Sequence, residues 1–81
     1  MRVTVRLFAR LRDLTGAAEL TREIDAGATV ADVWRQLAHD FPDLAAYERS
    51  ISCAVNADYA RMRAPVHDGD EVAFLPPVSG G

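Results

Sequence analysis

The stretch TVADVWRQLAHDF, residues 29–41, constrains the fold of this chain more than any other part of the sequence. Its apolar residues recur at intervals of three or four, the spacing of one face of an α-helix. Thr29 can cap the first turn, with Asp32 three residues later as a variant of the capping box, and Pro42 ends the helix. The apolar face consists of Val30, Val33, Trp34, Leu37, Ala38 and Phe41.

The segments on either side of this helix have the pattern of β-strands. Apolar and polar residues alternate in the first of them, with Val3, Val5 and Leu7 on one side, as in a half-buried strand. ARLRDLTG, residues 9–16, reads as a short helix or turn, and HDGD, residues 67–70, reads as a turn. The predicted strands are RVTVRLF (2–8), AELTREI (18–24), ISCAVN (51–56), a short strand near Tyr59, and EVAFL (71–75).

The order strand, strand, helix, strand, short strand, strand predicts an α+β fold of the β-grasp (ubiquitin-like) type. In this fold a mixed sheet of about five strands carries one main helix across it, and the first and last strands lie side by side and parallel in the middle. We expect one β-grasp domain over residues 1–75 and a flexible, extended C-terminal tail over residues 76–81.

Size and charge favour a subunit or binding module over a free-standing enzyme. A chain of 81 residues leaves little room for a deep catalytic cleft. The net charge of −3 argues against a nucleic-acid partner. No segment has the length or the apolar composition of a membrane span or an export signal, so we expect a cytoplasmic protein.

The sequence offers no metal or cofactor site. Cys53 is the only cysteine, which excludes an internal disulfide and a multi-cysteine zinc site, and its apolar neighbours predict a buried, structural thiol. The turn containing His67 cannot aim three ligands at one ion. Phosphate-loop and dinucleotide motifs are absent, so any ATP must be bound by a partner. All nine basic residues are arginine, which excludes a catalytic lysine and any polymer linked through lysines of this chain.

The end of the sequence, PPVSGG, suggests a reactive tail. Two prolines favour an extended stem, and a Gly-Gly end can thread a channel that larger residues would block. The α-carboxylate is ionised at neutral pH, because its reference pKa is about 3.3–3.7, and it becomes an electrophile only after activation to an anhydride. Simple fraying of a chain end is the competing interpretation.

Three segments resemble the small subunit of molybdopterin synthase, a ubiquitin-like sulfur carrier. DGDEVAFLPPVSGG, residues 68–81, is similar to the family's ending, and VRLFARLRDLTG (5–16) and AVN (54–56) are similar to its beginning and middle. Leu75 departs from the pattern, because the family often has a second aromatic residue there. The substitution keeps an apolar side chain.

The resemblance implies a role in molybdenum cofactor biosynthesis. An E1-like adenylating enzyme would use ATP to adenylate Gly81, and a sulfur donor protein would convert the adenylate to a thiocarboxylate. The tail would then enter the large subunit of molybdopterin synthase, in a heterotetramer, and give its sulfur to a pyranopterin precursor. Gly80 would provide steric access, and this chain would supply no catalytic side chain. The alternatives are a sulfur carrier for thiamine or cysteine synthesis and a non-covalent β-grasp interaction module.

Strand parity predicts an exposed apolar patch beside the tail. Phe8 and Leu75 face away from the helix on neighbouring strands, Tyr59 can join them, and Arg6 and Arg10 would form a rim. The alternative is a set of unrelated surface hydrophobes. In the resembled family the matching positions contact both partners. The predicted partner-binding residues are therefore Phe8, Tyr59, Leu75, Pro76, Pro77 and Val78.

Overall fold

The molecule has two layers, one formed by a mixed sheet and the other by one long helix. The structure is a computed structural model that describes residues 1–77. The second layer also holds a short helix and a 3-10 helix. In chain order the elements are β1 (Arg2–Leu7), α1 (Ala9–Thr15), β2 (Glu19–Glu23), α2 (Val30–Asp40), the 3-10 helix (Pro42–Tyr47), β3 (Ser52–Val55), β4 (Asp58–Ala60) and β5 (Glu71–Leu75).

The strand order β2-β1-β5-β3-β4 confirms the predicted β-grasp topology. β1 and β5 pair in parallel at the centre, with Leu7 opposite Phe74. The remaining pairs are antiparallel: β2 runs against β1, and β3 runs against both β5 and β4. The first and last strands of the fold are therefore neighbours, as the element order predicts.

The core lies between the sheet and α2. The Trp34 and Phe74 rings pack in a tilted arrangement with centroids 5.0 Å apart, which joins the helix to the central strand of the sheet. Burial follows the predicted periods, three to four in the helix and two in the strands. The fully buried large side chains are Trp34, Phe74, Leu7, Leu11, Leu37, Leu44, Val3, Val5, Val30, Val33 and Val72.

Both ends of α2 form as the sequence predicts. The Asp32 carboxylate accepts a hydrogen bond from the Thr29 backbone N–H at 2.8 Å and completes a capping box. The next amides, of Val30 and Ala31, donate to carbonyls of the loop after β4. At the other end the helix stops before Pro42, where the 3-10 helix begins.

A polar network joins two turns at one end of the sheet. Asn56, at φ 51°, accepts a hydrogen bond from the Glu71 N–H and donates one to the Asp70 carboxylate, both at 2.9 Å. The same carboxylate accepts from the His67 N–H at 2.8 Å. Gly69 completes the second turn with φ 86°, a conformation that favours glycine. The network therefore fixes the point where β5 enters the sheet.

Truncation of the helix core will measure how strongly α2 holds the fold. Leu37 is fully buried, so Leu37→Ala should lower the free energy of unfolding by about 2–5 kcal/mol, through lost burial and the cavity left behind. Urea denaturation measures the change. The exposed His39→Ala on the same helix is the control and should stay within about 0.5 kcal/mol of the parent. Equal effects of the two substitutions would contradict this packing.

The Asp70 carboxylate should make stability depend on acid pH. The side-chain hydrogen bond from Asn56, then the backbone hydrogen bond from His67, hold the pKa of Asp70 below its ordinary value of 3.8. A depressed pKa stabilises the folded state above that value, and the contribution is lost as pH falls through the folded-state pKa.

Asp70→Asn should therefore lower the melting temperature near neutral pH, and its difference from the parent should shrink as the pH falls below 3.8. Thermal unfolding followed by circular dichroism across this range tests the effect. The exposed Asp13→Asn serves as the control. A difference between Asp70→Asn and the parent that stays constant with pH would exclude this carboxylate as the source.

Candidate functional site

The tail begins at the centre of the sheet. β5 ends at Leu75, which lies opposite Ser52 of β3, while Phe74 lies opposite Leu7 of β1. The next two residues, Pro76 and Pro77, have no amide hydrogen, so they cannot continue the ladder with either neighbouring strand. The chain is thereby released from the sheet between two flanking strands. We call this point, where Pro76 and Pro77 follow Leu75 between β1 and β3, the tail exit.

The last strand separates core and surface residues strictly by parity. Val72 and Phe74 are fully buried under α2, whereas Ala73 and Leu75 lie on the opposite, outer face. Phe8, which follows β1, reaches the same face and is 40% exposed. The predicted outward orientation of Phe8 and Leu75 is therefore confirmed.

These side chains surround a shallow apolar hollow on the outer face, with a volume of about 230 Å³. Small alanines lie on neighbouring strands between larger side chains, which leaves a depression in the surface. Tyr59 on β4 borders the hollow and is 85% exposed. The residues of the hollow are Phe8, Ala54, Ala57, Tyr59, Ala73 and Leu75. An exposed apolar surface of this kind is typical of a site that contacts another molecule.

Charge is present on one side of the hollow. The Arg6 guanidinium lies 5.9 Å from the centre of the Phe8 ring, within range of a cation–π contact, and 3.4 Å from the Glu71 carboxylate. This confirms Arg6 as a rim residue. Arg10 is exposed in α1 and, like Arg6, is not among the residues that line the hollow, so its place on the rim stays a prediction.

Three alanines of the hollow were not predicted from the sequence, because the predicted patch consisted only of large side chains. Ala54 and Ala73 are partners across β3 and β5, and their parity matches that of Leu75. The signal was therefore present in the period-two pattern. Ala57 gave no such signal, because its position depends on the turn after β3, where its φ is 72°.

The other candidate side chains have structural surroundings. Cys53 is buried, its Sγ lies 3.8 Å from the Met62 Sδ, and burial raises the pKa of its thiol. His67 is exposed in its turn. Within residues 1–77 no group of three or more His, Cys, Asp or Glu side chains is arranged to hold a metal ion. Over the same residues neither helix combines the length and apolar character needed to cross a membrane.

The remaining predicted residues belong to the tail. Pro76 is half-buried and Pro77 is exposed at the tail exit. Val78, Gly80 and Gly81 lie outside the described residues. Their roles, and the boundary between domain and tail, stay predictions.

Comparison with known proteins gives full-length matches. The ThiS family matches residues 5–81. The molybdopterin synthase sulfur carrier subunit of Arabidopsis thaliana is 38% identical over 98% of this chain and 82% of its own length. The subunit of the same name from Chlamydomonas reinhardtii is 36% identical over 100% of both chains.

A solved structure supports both the fold and the relationship. The crystal structure of SAMP1, a small archaeal modifier protein from Haloferax volcanii, superposes with a TM-score of 0.86 and 30% identity, and the match covers 100% of both chains. The five-stranded sheet and its crossing helix are therefore shared with ubiquitin-like β-grasp proteins. The chain belongs to the ThiS family, together with the molybdopterin synthase sulfur carrier subunits.

Proposed function

We propose that this protein is the sulfur carrier of molybdenum cofactor biosynthesis. Gly81 is first adenylated and then converted to a thiocarboxylate, which gives its sulfur to a pyranopterin precursor in complex with the large subunit of molybdopterin synthase. The observation that carries this proposal is the tail exit: the central strand leads directly into Pro76 and Pro77, beside an exposed apolar hollow. Full-length similarity to relatives named molybdopterin synthase sulfur carrier subunit supports it.

The proposed chemistry takes place at the carboxylate of Gly81. Its oxygen attacks the α-phosphate of ATP, which gives an acyl adenylate and releases pyrophosphate. A sulfur nucleophile then attacks the acyl carbon, so that a C–S bond forms while the C–O bond to phosphate breaks and AMP leaves. Gly80 and Gly81 have no side chain to obstruct either attack.

In this proposal the chain supplies the acyl group of Gly81, and partner proteins supply the ATP-binding site and the sulfur. We assign ATP binding to an E1-like adenylating enzyme and the sulfur to a separate donor protein, because the described residues contain neither a phosphate-binding motif nor an exposed thiol. The single buried cysteine suits a reducing cytoplasm, where we place the reaction.

The hollow and the tail form one binding surface in this proposal. Leu75 lines the hollow and also precedes the two prolines, so a partner that covers the hollow is already next to the tail exit. Six extended residues, 76–81, reach at most about 20 Å, which sets the depth of the active site the tail can enter. The proposed contact residues are Phe8, Tyr59, Leu75, Pro76, Pro77 and Val78.

Intact mass spectrometry tests the carrier function. The protein is incubated with ATP, magnesium, the cognate activating enzyme and a sulfur source, and we expect a gain of one sulfur minus one oxygen. Deletion of Gly81 should abolish the gain. Activity with a thiamine- or cysteine-pathway enzyme alone would favour those carriers, and a covalent adduct with another protein would favour a modifier. No change with any activating enzyme would favour a non-covalent module.

A longer tail separates chemistry from folding. One alanine added after Gly81 should abolish sulfur transfer, because the activated group would then lie on a different residue that carries a Cβ. The thermal unfolding of this variant should match that of the parent. An extended variant that still delivers sulfur would count against the proposal.

The hollow should contribute to binding of the large subunit. Tyr59→Ala removes an exposed aromatic ring that makes no contribution to the buried core, so we expect unchanged folding. Affinity should fall by roughly ten- to a hundredfold, the loss expected where a tyrosine is a binding hot spot. Titration calorimetry with the large subunit measures it. The control is Thr21→Ala, an exposed position on β2, which is the edge strand farthest from β4; it should leave the affinity unchanged. Equal affinities for both variants would exclude Tyr59 from the interface.

A further inference from the structure

The surface of this chain offers no lysine amine, although its C-terminal acyl group is activated in the proposed function. All nine basic side chains are arginine in a sequence of 81 residues. A lysine ε-amine attacks activated acyl groups once it loses its proton, whereas an arginine side chain stays protonated in proteins and is not a nucleophile near neutral pH. The basic side chains thus carry positive charge without the reactivity of an amine.

The α-amino group of Met1 is held away from the tail exit. It donates a hydrogen bond to the carbonyl of Ile24 at 2.8 Å and is partly buried. Met1 precedes β1, and the other end of β1, at Leu7, lies beside the last residues of β5. Six strand residues separate the two ends by about 20 Å. The amine and the tail exit are therefore at opposite ends of the sheet.

The only thiol is also removed from the tail. Cys53 is 5% exposed and belongs to the core on the helix side of β3. The hollow lies on the other face of the sheet. Burial raises the pKa of this thiol, so the reactive thiolate is disfavoured in addition to being covered.

Two arginines nevertheless belong to the segments that flank the tail exit. Ser52 lies opposite Leu75, and Arg61 follows Ala60, the partner of Cys53, so Arg61 is two strands from the start of the tail. Arg10 lies three residues after Leu7, the last residue of β1 and the partner of Phe74. Both arginines are exposed, and within residues 1–77 neither lies within ion-pair distance of a carboxylate, unlike Arg2, Arg6, Arg22 and Arg35.

We propose that the chain keeps amine and thiol nucleophiles away from its own tail exit, so that the activated acyl group of Gly81 survives until a partner's nucleophile accepts it. This inference rests on the proposed function. Neighbouring strands are about 4.8 Å apart, so the Cα atoms of Arg61 and Leu75, two strands apart, are separated by roughly 10 Å. This distance is well within the reach of a six-residue tail. An amine at this position would compete with the sulfur donor, and arginine does not.

The reaction that is avoided is an acyl transfer to nitrogen. The ε-amine attacks the acyl carbon of Gly81, a C–N bond forms, the bond to the leaving group breaks, and the ammonium proton passes to solvent. With an adenylate the leaving group is AMP, and with a thioester it is a thiolate. The product is a cyclic or dimeric amide, which is lighter by one water per bond than the free acid and is a dead end for sulfur transfer.

The test uses the full chain as a C-terminal thioester, so that no activating enzyme is needed. The parent thioester should only hydrolyse at mildly alkaline pH. Arg61→Lys should form an amide one water lighter than the free acid, and peptide mapping should locate it at the substituted position. Arg2→Lys, at the far end of β1, is the matched control, and it should give at least about tenfold less amide because its effective concentration near the tail is lower.

These experiments test the inference and the proposed function separately. Amide formation by the parent at Met1, or a stable Arg61→Lys thioester, would overturn it. Arg10→Lys supplies a second variant should Arg61→Lys fail to fold, as judged by circular dichroism. With the activating enzyme and ATP but no sulfur donor, the same variants should accumulate the amide. Failure of the parent to consume ATP in that assay would count against the proposed function alone.

Discussion

Parallel pairing of β1 with β5 at the centre of the sheet is the contact on which both the core and the tail exit depend. It brings Leu7 beside Phe74 and so places the two ends of the domain in one layer under α2. The strand that completes the core is also the strand that leads to the tail. Pairing β1 with β5 closes a long loop, because nearly the whole chain lies between the two strands. The conformational entropy lost on closing this loop is offset by burial of the side chains that the pairing aligns. The Trp34–Phe74 contact is the direct link between that alignment and the helix.

The two faces of the sheet have separate tasks, and the period of two keeps them apart. On the inner face Val72 and Phe74 fill the core, while on the outer face Ala73 and Leu75 leave an apolar hollow open to a partner. The β1–β2 side of the outer face is different, because it carries charged pairs such as Arg2 with Glu23. Such exposed pairs add little stability, but they keep that half of the face polar. The apolar surface is thereby confined to the side next to the tail exit.

Period and capping signals predicted most of the fold. The helix stripe and the Thr29–Asp32 capping box placed α2, and strand parity placed Phe8 and Leu75 on the outer face. The hollow itself was not predicted, because alanines form a depression only where larger side chains surround them, and the sequence does not show which side chains these are. The place of Arg10 on the rim stays a prediction, because Arg10 lies in α1 and not on a strand whose parity would fix its face. The roles of Gly80 and Gly81 came from resemblance and chemistry, and they depend on a partner that a single chain cannot contain.

The core also fixes how far the tail can reach. A slip of β5 by one residue would move Phe74 to the outer face and Leu75 into the core, and it would shift the start of the tail by about 3.3 Å. The Phe74 ring, packed on Trp34, makes such a slip costly, and the two turns joined by Asn56 and Asp70 hold the other end of the strand. Reactive groups in an active site must be positioned to about 0.5 Å. For a carrier whose reagent lies at the end of such a tail, the packing of one aromatic residue in the core therefore sets the point from which the tail extends.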